Sequence, residues 1–280
     1  MPVAVVTDST AYLPDGLARR HGIAVVPLHV IAGGRSGLEG VEVSPDDVRR
    51  ELGERRAAVT TSQPAPGQLL EAYTEAAKAG ADAVVSVHLS AKLSGTYAAA
   101  RRTAEQAPLP VRVVDSRGIA MGLGFPVLEA ATAASHGASA EEVAGVALRA
   151  VERTRTFFYV DTLEHLRRGG RIGAAHALLG TALSVKPILH ILNGEIVSLE
   201  RARTASRAIA RLEELVEDAA ADLPVDLAVH HLGTPLRAAA LAGRLRERVH
   251  GLGELHLSEV GAVVGAHVGA GLLAVVVHRR

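Results

Sequence analysis

Along the first half of the chain, short apolar runs alternate with segments whose apolar residues recur every three or four positions. The runs "VAVVTDS", "IAVVPLHVI", "DAVVSVHL" and "VRVVDS" are rich in β-branched residues, the pattern of buried strands. Between them, "VSPDDVRREL" offers Ser44 as N-cap, Pro45 at the first helical position and Asp47 in the first turn. "PGQLLEAYTEAAKAG" predicts a helix closed by Gly80, and another helix starts near Thr96. "SAEEVAGVALRAVE" opens with a capping box from Ser139 to Glu142. Strands spaced by helices predict an α/β/α sandwich around a parallel sheet.

The second half has a different rhythm. "FFYVD" predicts a strand and "TLEHLRR" a short helix, followed by "GGRIG". "LSVKPILHIL" and "EIVSLE" flank Asn193-Gly194, a strong hairpin signal. "SRAIARLEELVEDAAA" sets Ile209, Leu212, Leu215, Val216 and Ala219 on one helical face. "VDLAVHHL", "ELHLSEV" and "LLAVVVH" predict strands, and "PLRAAALAGRLRERV" a helix. A hairpin among helices predicts an α/β domain with a mixed sheet. The change falls at Thr154–Thr156, so 1–155 and 156–280 are read as two domains, which 280 residues accommodate.

Composition narrows the chemistry. Lys+Arg and Asp+Glu are 30 each, so no basic footprint for nucleic acid exists. The absence of cysteine excludes disulfides, thiolate metal sites and a thiol nucleophile. With three Phe, four Tyr and no Trp, the cores must be Ala, Val, Leu and Ile, and an aromatic stacking platform is not expected. Such residues build ordinary cores and equally line a pocket for an aliphatic ligand. The near-apolar run "VVGAHVGAGLLAVVV" is short for a bilayer and broken by glycines and a histidine. The start, "MPVAVVTDST", lacks the features of a signal peptide. The expectation is a soluble, cytoplasmic protein without metal or cofactor.

Three hydroxyl- or glycine-rich places carry candidate chemistry. Ser94-Gly95-Thr96 lies at the mouth of a helix, where unpaired N–H groups and hydroxyls hold an anion and glycine permits close approach. Ser94 serves equally as a plain N-cap. "TTSQPAPG" places Thr61 and Ser62 before another helix, as ligand hydroxyls or as caps, in a loop stiffened by two prolines. "GAVVGAHVGAGLL" reads as a glycine-rich loop around His267, which is a donor to a carboxylate, an acid/base, or a satisfied buried histidine. Arg171, between glycines, binds phosphate or orders a turn. His230 and His231 alternate faces of a strand and do not share a metal easily.

Several enzyme signatures are missing. "VVTDST" resembles the start of an aspartate-dependent phosphatase, but Thr10 stands where the second aspartate belongs. There is no nucleophile elbow, no P-loop and no H-E-x-x-H. Asp8 and Asp115 end parallel strands, where open α/β sheets carry functional loops, or they hold loop backbones.

Taken in order, "VTDST", "TSQPAPG", "LSGTY", "VVDS", "DTLEHLRRGGRI", "KPIL" with "NGEI", "RART" and the glycine-rich segment with a histidine resemble the DegV family over essentially the whole chain. The resemblance implies a two-domain α/β protein with a ligand tunnel between the domains. It implies a non-enzymatic lipid-binding protein that takes up one long-chain fatty acid such as palmitate or oleate. Some members serve as the fatty-acid-binding subunit of bacterial fatty acid kinase, presenting the carboxylate to a separate kinase. Ser94, with the N–H groups of Gly95 and Thr96, would hold that carboxylate. The family's binding threonine maps onto Thr61, beside Ser62, and its histidine onto His267. Arg171 and Arg203 match family arginines near the mouth that order loops or face the kinase. Peripheral membrane contact for lipid exchange goes with such a role. The family's last loop usually reads T-H-T-G-P-G, whereas Ala266, Val268 and Ala270 replace two hydroxyls and a proline here. The competing readings are an enzyme on a small phosphorylated or carboxylated metabolite using Asp8 and Asp115, and a scaffold without a ligand.

Overall fold

The computed structural model describes residues 2–53, 59–178 and 185–280. The strands of the first half are β1 (Val3–Asp8), β2 (Ile23–Val26), β3 (His29–Ala32), β4 (Arg35–Leu38), β5 (Thr60–Ser62), β6 (Ala83–His88) and β7 (Val111–Asp115). Those of the second half are β8 (Thr154–Tyr159), β9 (Lys186–Leu192), β10 (Glu195–Ala202), β11 (Val225–His231), β12 (Leu252–Glu259) and β13 (Leu273–Arg279). The first six helices are α1 (Leu17–Arg20), α2 (Pro45–Gly53), α3 (Pro66–Lys78), α4 (Thr96–Ala104), α5 (Met121–Ser135) and α6 (Ala140–Arg153). The last four are α7 (Glu164–Arg168), α8 (Ala205–Ala220), α9 (Pro235–Arg248) and α10 (Ala262–Val268).

The first sheet is parallel, in the order β2-β1-β6-β7. Strand alternation sends Val5, Val85 and Val87 against α5 and α6, and Val6 and Val84 against α3 and α4. Both faces are therefore covered, as a parallel sheet requires. The second sheet is mixed, in the order β10-β9-β8-β13-β11-β12, with only β11–β12 parallel. Phe157, Tyr159, Val275 and Val277 face α8 and α9 on one side. Their neighbours Phe158, Ala274 and Val276 face the first half.

The local signals are realised where they are strongest. Ser44 and Asp47 cap each other at the start of α2, and Ser139 and Glu142 form the box that opens α6. Asn193 and Gly194 both take positive φ, 50° and 83°, the conformation a two-residue type I′ turn needs. The predicted first strand of that hairpin starts at 183, and residues 183 and 184 lie outside the described residues.

Four expectations are corrected. "IAVVPLHVI" is two strands, because Pro27 offers no N–H to a ladder: β2 joins the parallel sheet, and β3 joins a separate antiparallel sheet, β4-β3-β5. Thr61 and Ser62 belong to β5 and do not cap α3, which starts behind Ala65, whose N–H donates to Gln68 Oε1. The glycine-rich segment around His267 is helix α10, with glycines at its ends and Gly265 packed under Leu232. Helix α5 was not expected at all. Its first seven residues are buried all round, so no amphipathic period marks it. It is wedged between the sheets, with Leu123 and Val127 toward the first and Met121 and Phe125 toward the second.

Candidate functional site

A cavity of about 330 Å³ lies between the two halves, within the size range of small-molecule sites. Its floor is the inner face of the second sheet. In-register pairs Val276–Thr156 and Ala274–Phe158 put four side chains on it, and Ile191 and Ile196 extend it across the hairpin. Val264 and Val268 from α10, Leu166 from α7, and Leu89, Leu93 and Ile119 from first-half loops complete an aliphatic wall. Polar groups gather at one region: Thr61, Ser62, Gln63, Ser94, Gly95, Arg171 and His267. Among the described residues no carboxylate lines the cavity.

These polar groups come from four distant segments. Thr61 is fixed by pairing of β5 with β3, opposite Val30. Its Oγ1 hydrogen-bonds His267 Nε2 at 2.8 Å, across 206 positions of sequence. Burial, and then the charge of Arg171, lowers the His267 pKa to about 4, so the ring is neutral near pH 7. Its Nδ1 is buried and has no partner among the described residues, next to Gly169, where any Cβ would strike the ring. Assigning the ring proton to Nε2 makes it donate to Thr61 and leaves the threonine proton for a ligand oxygen.

Ser94 Oγ accepts from the Thr96 N–H at 3.3 Å and shares a 2.9 Å hydrogen bond with Thr96 Oγ1. It thus bonds the first residue of α4 from the position before the N-cap, which is Gly95, and lines the cavity at once. Thr96 itself is fully buried and does not line it. At Gly95 a Cβ would meet the end of the Gln63 side chain, so glycine lets these two loops meet without displacing that amide. Arg171 ties the loop down by donating from Nε to Leu93 O at 3.1 Å and from Nη1 to Gly169 O at 2.7 Å. The hairpin turn adds a bond from Ser90 Oγ to Gly194 O and an ion pair between Lys92 and Glu195.

Three predicted residues lie elsewhere. Arg203 is exposed beyond the end of β10 and does not reach the cavity. Asp115 Oδ1 accepts from the N–H groups of Ala91 and Arg117. Asp8 is fully buried and accepts from Thr10 N, Leu89 N and His88 Nδ1. His88 Nε2 continues to Ser86 Oγ at 2.8 Å, and Tyr73 also bonds that serine. This carboxylate–imidazole–hydroxyl order resembles a hydrolytic triad. Here Ser86 is fully buried and off the cavity, so the chain orders loop 89–95 and cannot meet a substrate.

Among the polar lining residues, Thr156, His230 and Gln63 escaped the sequence reading. His230 sits on the floor and is fully buried, accepting from Met121 N at Nε2 and bonding Ser258 Oγ at Nδ1. Burial, reinforced by the nearby His231 and His256, pushes its pKa down to about 3, so the satisfied neutral ring serves as wall. Only its place as the alternate residue of β11 signals this role. Gln63 carried a signal in the loop sequence itself, beside Thr61 and Ser62. Among the described residues no helix is long and apolar enough to cross a membrane, and no cluster of metal-ligating side chains occurs.

The same architecture recurs in known proteins. The family model described as "Uncharacterised protein, DegV family" matches residues 2–280. A DegV domain-containing protein of Streptomyces coelicolor is 56% identical over 278 residues, covering 99% of each chain. A DegV family protein of Thermus thermophilus, described as binding fatty acid, superposes with a TM-score of 0.95 at 34% identity over 100% of both chains. DegV of Bacillus subtilis, described as a fatty acid binding protein, superposes at 0.92 with 36% identity, again over 100% of both. With its whole length, its two sheets and its sequence all matched, this chain belongs to the DegV family.

Proposed function

We propose that the protein is a carrier for one long-chain fatty acid such as palmitate or oleate. The acyl chain lies along the aliphatic wall, and the carboxylate meets Thr61, Ser94, the Gly95 N–H and His267, with Arg171 as the nearby positive charge. The observation that carries this reading is a largely aliphatic cavity in which the side chains of Thr61, Ser62, Gln63, Ser94, Arg171 and His267 gather in one region. A sixteen-carbon acid buries about 14 methylenes at ~0.8 kcal/mol each, roughly 11 kcal/mol gross. Association and ordering offset several kcal/mol of that. Hydrogen bonds to the charged head add about 1.5–3 kcal/mol each.

The finer reading is that the bound carboxylate is presented to a separate kinase, which forms the acyl phosphate. Arg171 and the exposed Arg203 would face that partner. A division into domains 1–155 and 156–280 accords with a ligand between them, as does transient contact with a membrane surface during lipid exchange from the cytoplasm. The enzyme reading through Asp8 and Asp115 loses its support because both carboxylates are taken up by backbone donors away from the cavity.

The test is native mass spectrometry of the freshly purified protein, followed by solvent extraction. A released fatty acid, diminished in Ser94→Ala, is the expected result. A protein that is empty and takes up neither palmitate nor oleate overturns the proposal. Magnesium-dependent turnover of a small phosphorylated metabolite, lost in Asp8→Asn, would instead restore the enzyme.

A further inference from the structure

His267 reaches Thr61 from α10, a helix of seven residues supplied by the other half of the chain. So short a helix has little stability of its own and must be held from outside. Its hold is a buried cluster far in sequence from it. Glu39, 4% exposed, accepts the Val263 N–H at 2.7 Å. Tyr12 accepts the Val264 N–H at 3.1 Å and donates to the Glu39 carboxylate at 2.9 Å. Ser9 donates to the same carboxylate and accepts from Leu28 N at 3.1 Å. At Gly261, the residue before the helix, a Cβ would collide with both Glu39 and Tyr12. The first half thus satisfies two backbone donors that the helix cannot satisfy internally, with a carboxylate at the positive end of its dipole.

We infer that Glu39, relayed by Tyr12, is the positioning residue of the head-group site: it fixes the start of α10 and thereby the place of the His267 ring against Thr61. Glu39 does not line the cavity, so it touches no ligand and acts only through the helix. The geometry explains why a carboxylate is used. Two oxygens serve three donors at once, namely Val263 N–H, Tyr12 O–H and Ser9 O–H. A glutamine keeps one acceptor oxygen for the Val263 N–H, whereas an alanine keeps none. The inference rests on the carrier reading only for the meaning of the site; the Glu39–α10–His267 linkage holds whatever the ligand.

The experiment is NMR titration of the His267 ring in the full-length, delipidated protein, with palmitate binding measured in parallel. In Glu39→Ala the expected result is a His267 pKa that rises from about 4 toward the ordinary 6.5, as the ring leaves its buried place. The Val263 and Val264 amide signals shift with it. Palmitate affinity drops about tenfold, the worth of one misplaced head-group bond. Glu39→Gln restores most of both effects, and Tyr12→Phe gives an intermediate one. If Glu39→Ala fails to fold, Tyr12→Phe carries the test, because it removes the acceptor of the Val264 N–H and the donor to Glu39 at nearly constant volume. An unchanged His267 titration in folded Glu39→Ala, or in Tyr12→Phe where the alanine variant does not fold, overturns the inference. A shifted titration with no palmitate binding even in the wild type would sink the carrier reading and leave this linkage intact.

Discussion

At the mouth of the cavity these polar groups are held by bonds from neighbouring segments: His267 by Thr61 and its helix by Glu39, Ser94 by Thr96, and Arg171 by two carbonyls. The floor behind it is placed by strand alternation, with Thr156, Phe158, Ala274 and Val276 on one face simply because their neighbours face α8 and α9. The mouth depends on direction and the floor on volume. Hydrogen bonds fail when an atom moves by half an ångström, while apolar burial scales with area and forgives small shifts. The two regions should therefore answer mutation differently, the floor in affinity and the mouth in register.

The largest effect should come from filling the floor. Ala274→Trp would exclude several methylenes, each worth ~0.8 kcal/mol, and cut palmitate affinity by about a thousandfold with the fold retained. Calorimetry with palmitate and octanoate checks this; if the short acid is lost as severely as the long one, the division between floor and mouth fails. Stripping the ligand from wild type should lower stability by about 2.7 kcal/mol relative to protein held at a hundredfold excess over Kd. A melting temperature indifferent to lipid would break the comparison at its base.

Changes at the mouth should be smaller. Thr61→Val removes a hydroxyl while keeping shape, and a loss of about 1.5–3 kcal/mol in palmitate binding is expected, measured by competition with a fluorescent fatty acid. The same variant should leave the affinity for a neutral fatty alcohol nearly unchanged. Stability should also fall with acid. The His267 ring has a folded pKa of about 4 against an ordinary 6.5, so its contribution is complete above pH 6.5 and is lost as pH falls toward 4. His230, at about 3, extends the loss downward with the same sign. Melting curves of the delipidated protein should show this decline, less steep in His267→Gln. Ser94→Ala should do least, about 1 kcal/mol, because the Gly95 N–H remains; its mark is a shifted carboxylate in a liganded crystal structure.

Much of this was legible along the chain because its signals are local. The Ser139–Glu142 box, the Asn193-Gly194 turn and the β-branched runs act over a few residues, and the structure obeys them. Helix α5 was illegible because burial on every side erases the polar face by which helices are recognised. The segment around His267 was misread because its glycines suggested a loop, whereas they allow close packing against Glu39, Leu232 and His165. Gly169 carries a similar lesson: it leaves room for the His267 ring, a neighbour far away in sequence.

The sequence by itself determined most of the strands and helices, the capping boxes of α2 and α6, the hairpin turn and the aliphatic character of the interior, and its motifs supplied the hydroxyls and the histidine of the proposed head-group site. Tertiary structure alone decided that Thr61 meets His267, that Asp8 is spent on a loop, that Thr96 stays behind Ser94, and that His230 is wall. The reason is physical. Caps and turns are set by atoms a few bonds apart. The mouth is set by the docking of two sheets through α5 and α10, and no local pattern records which side chains that docking brings face to face.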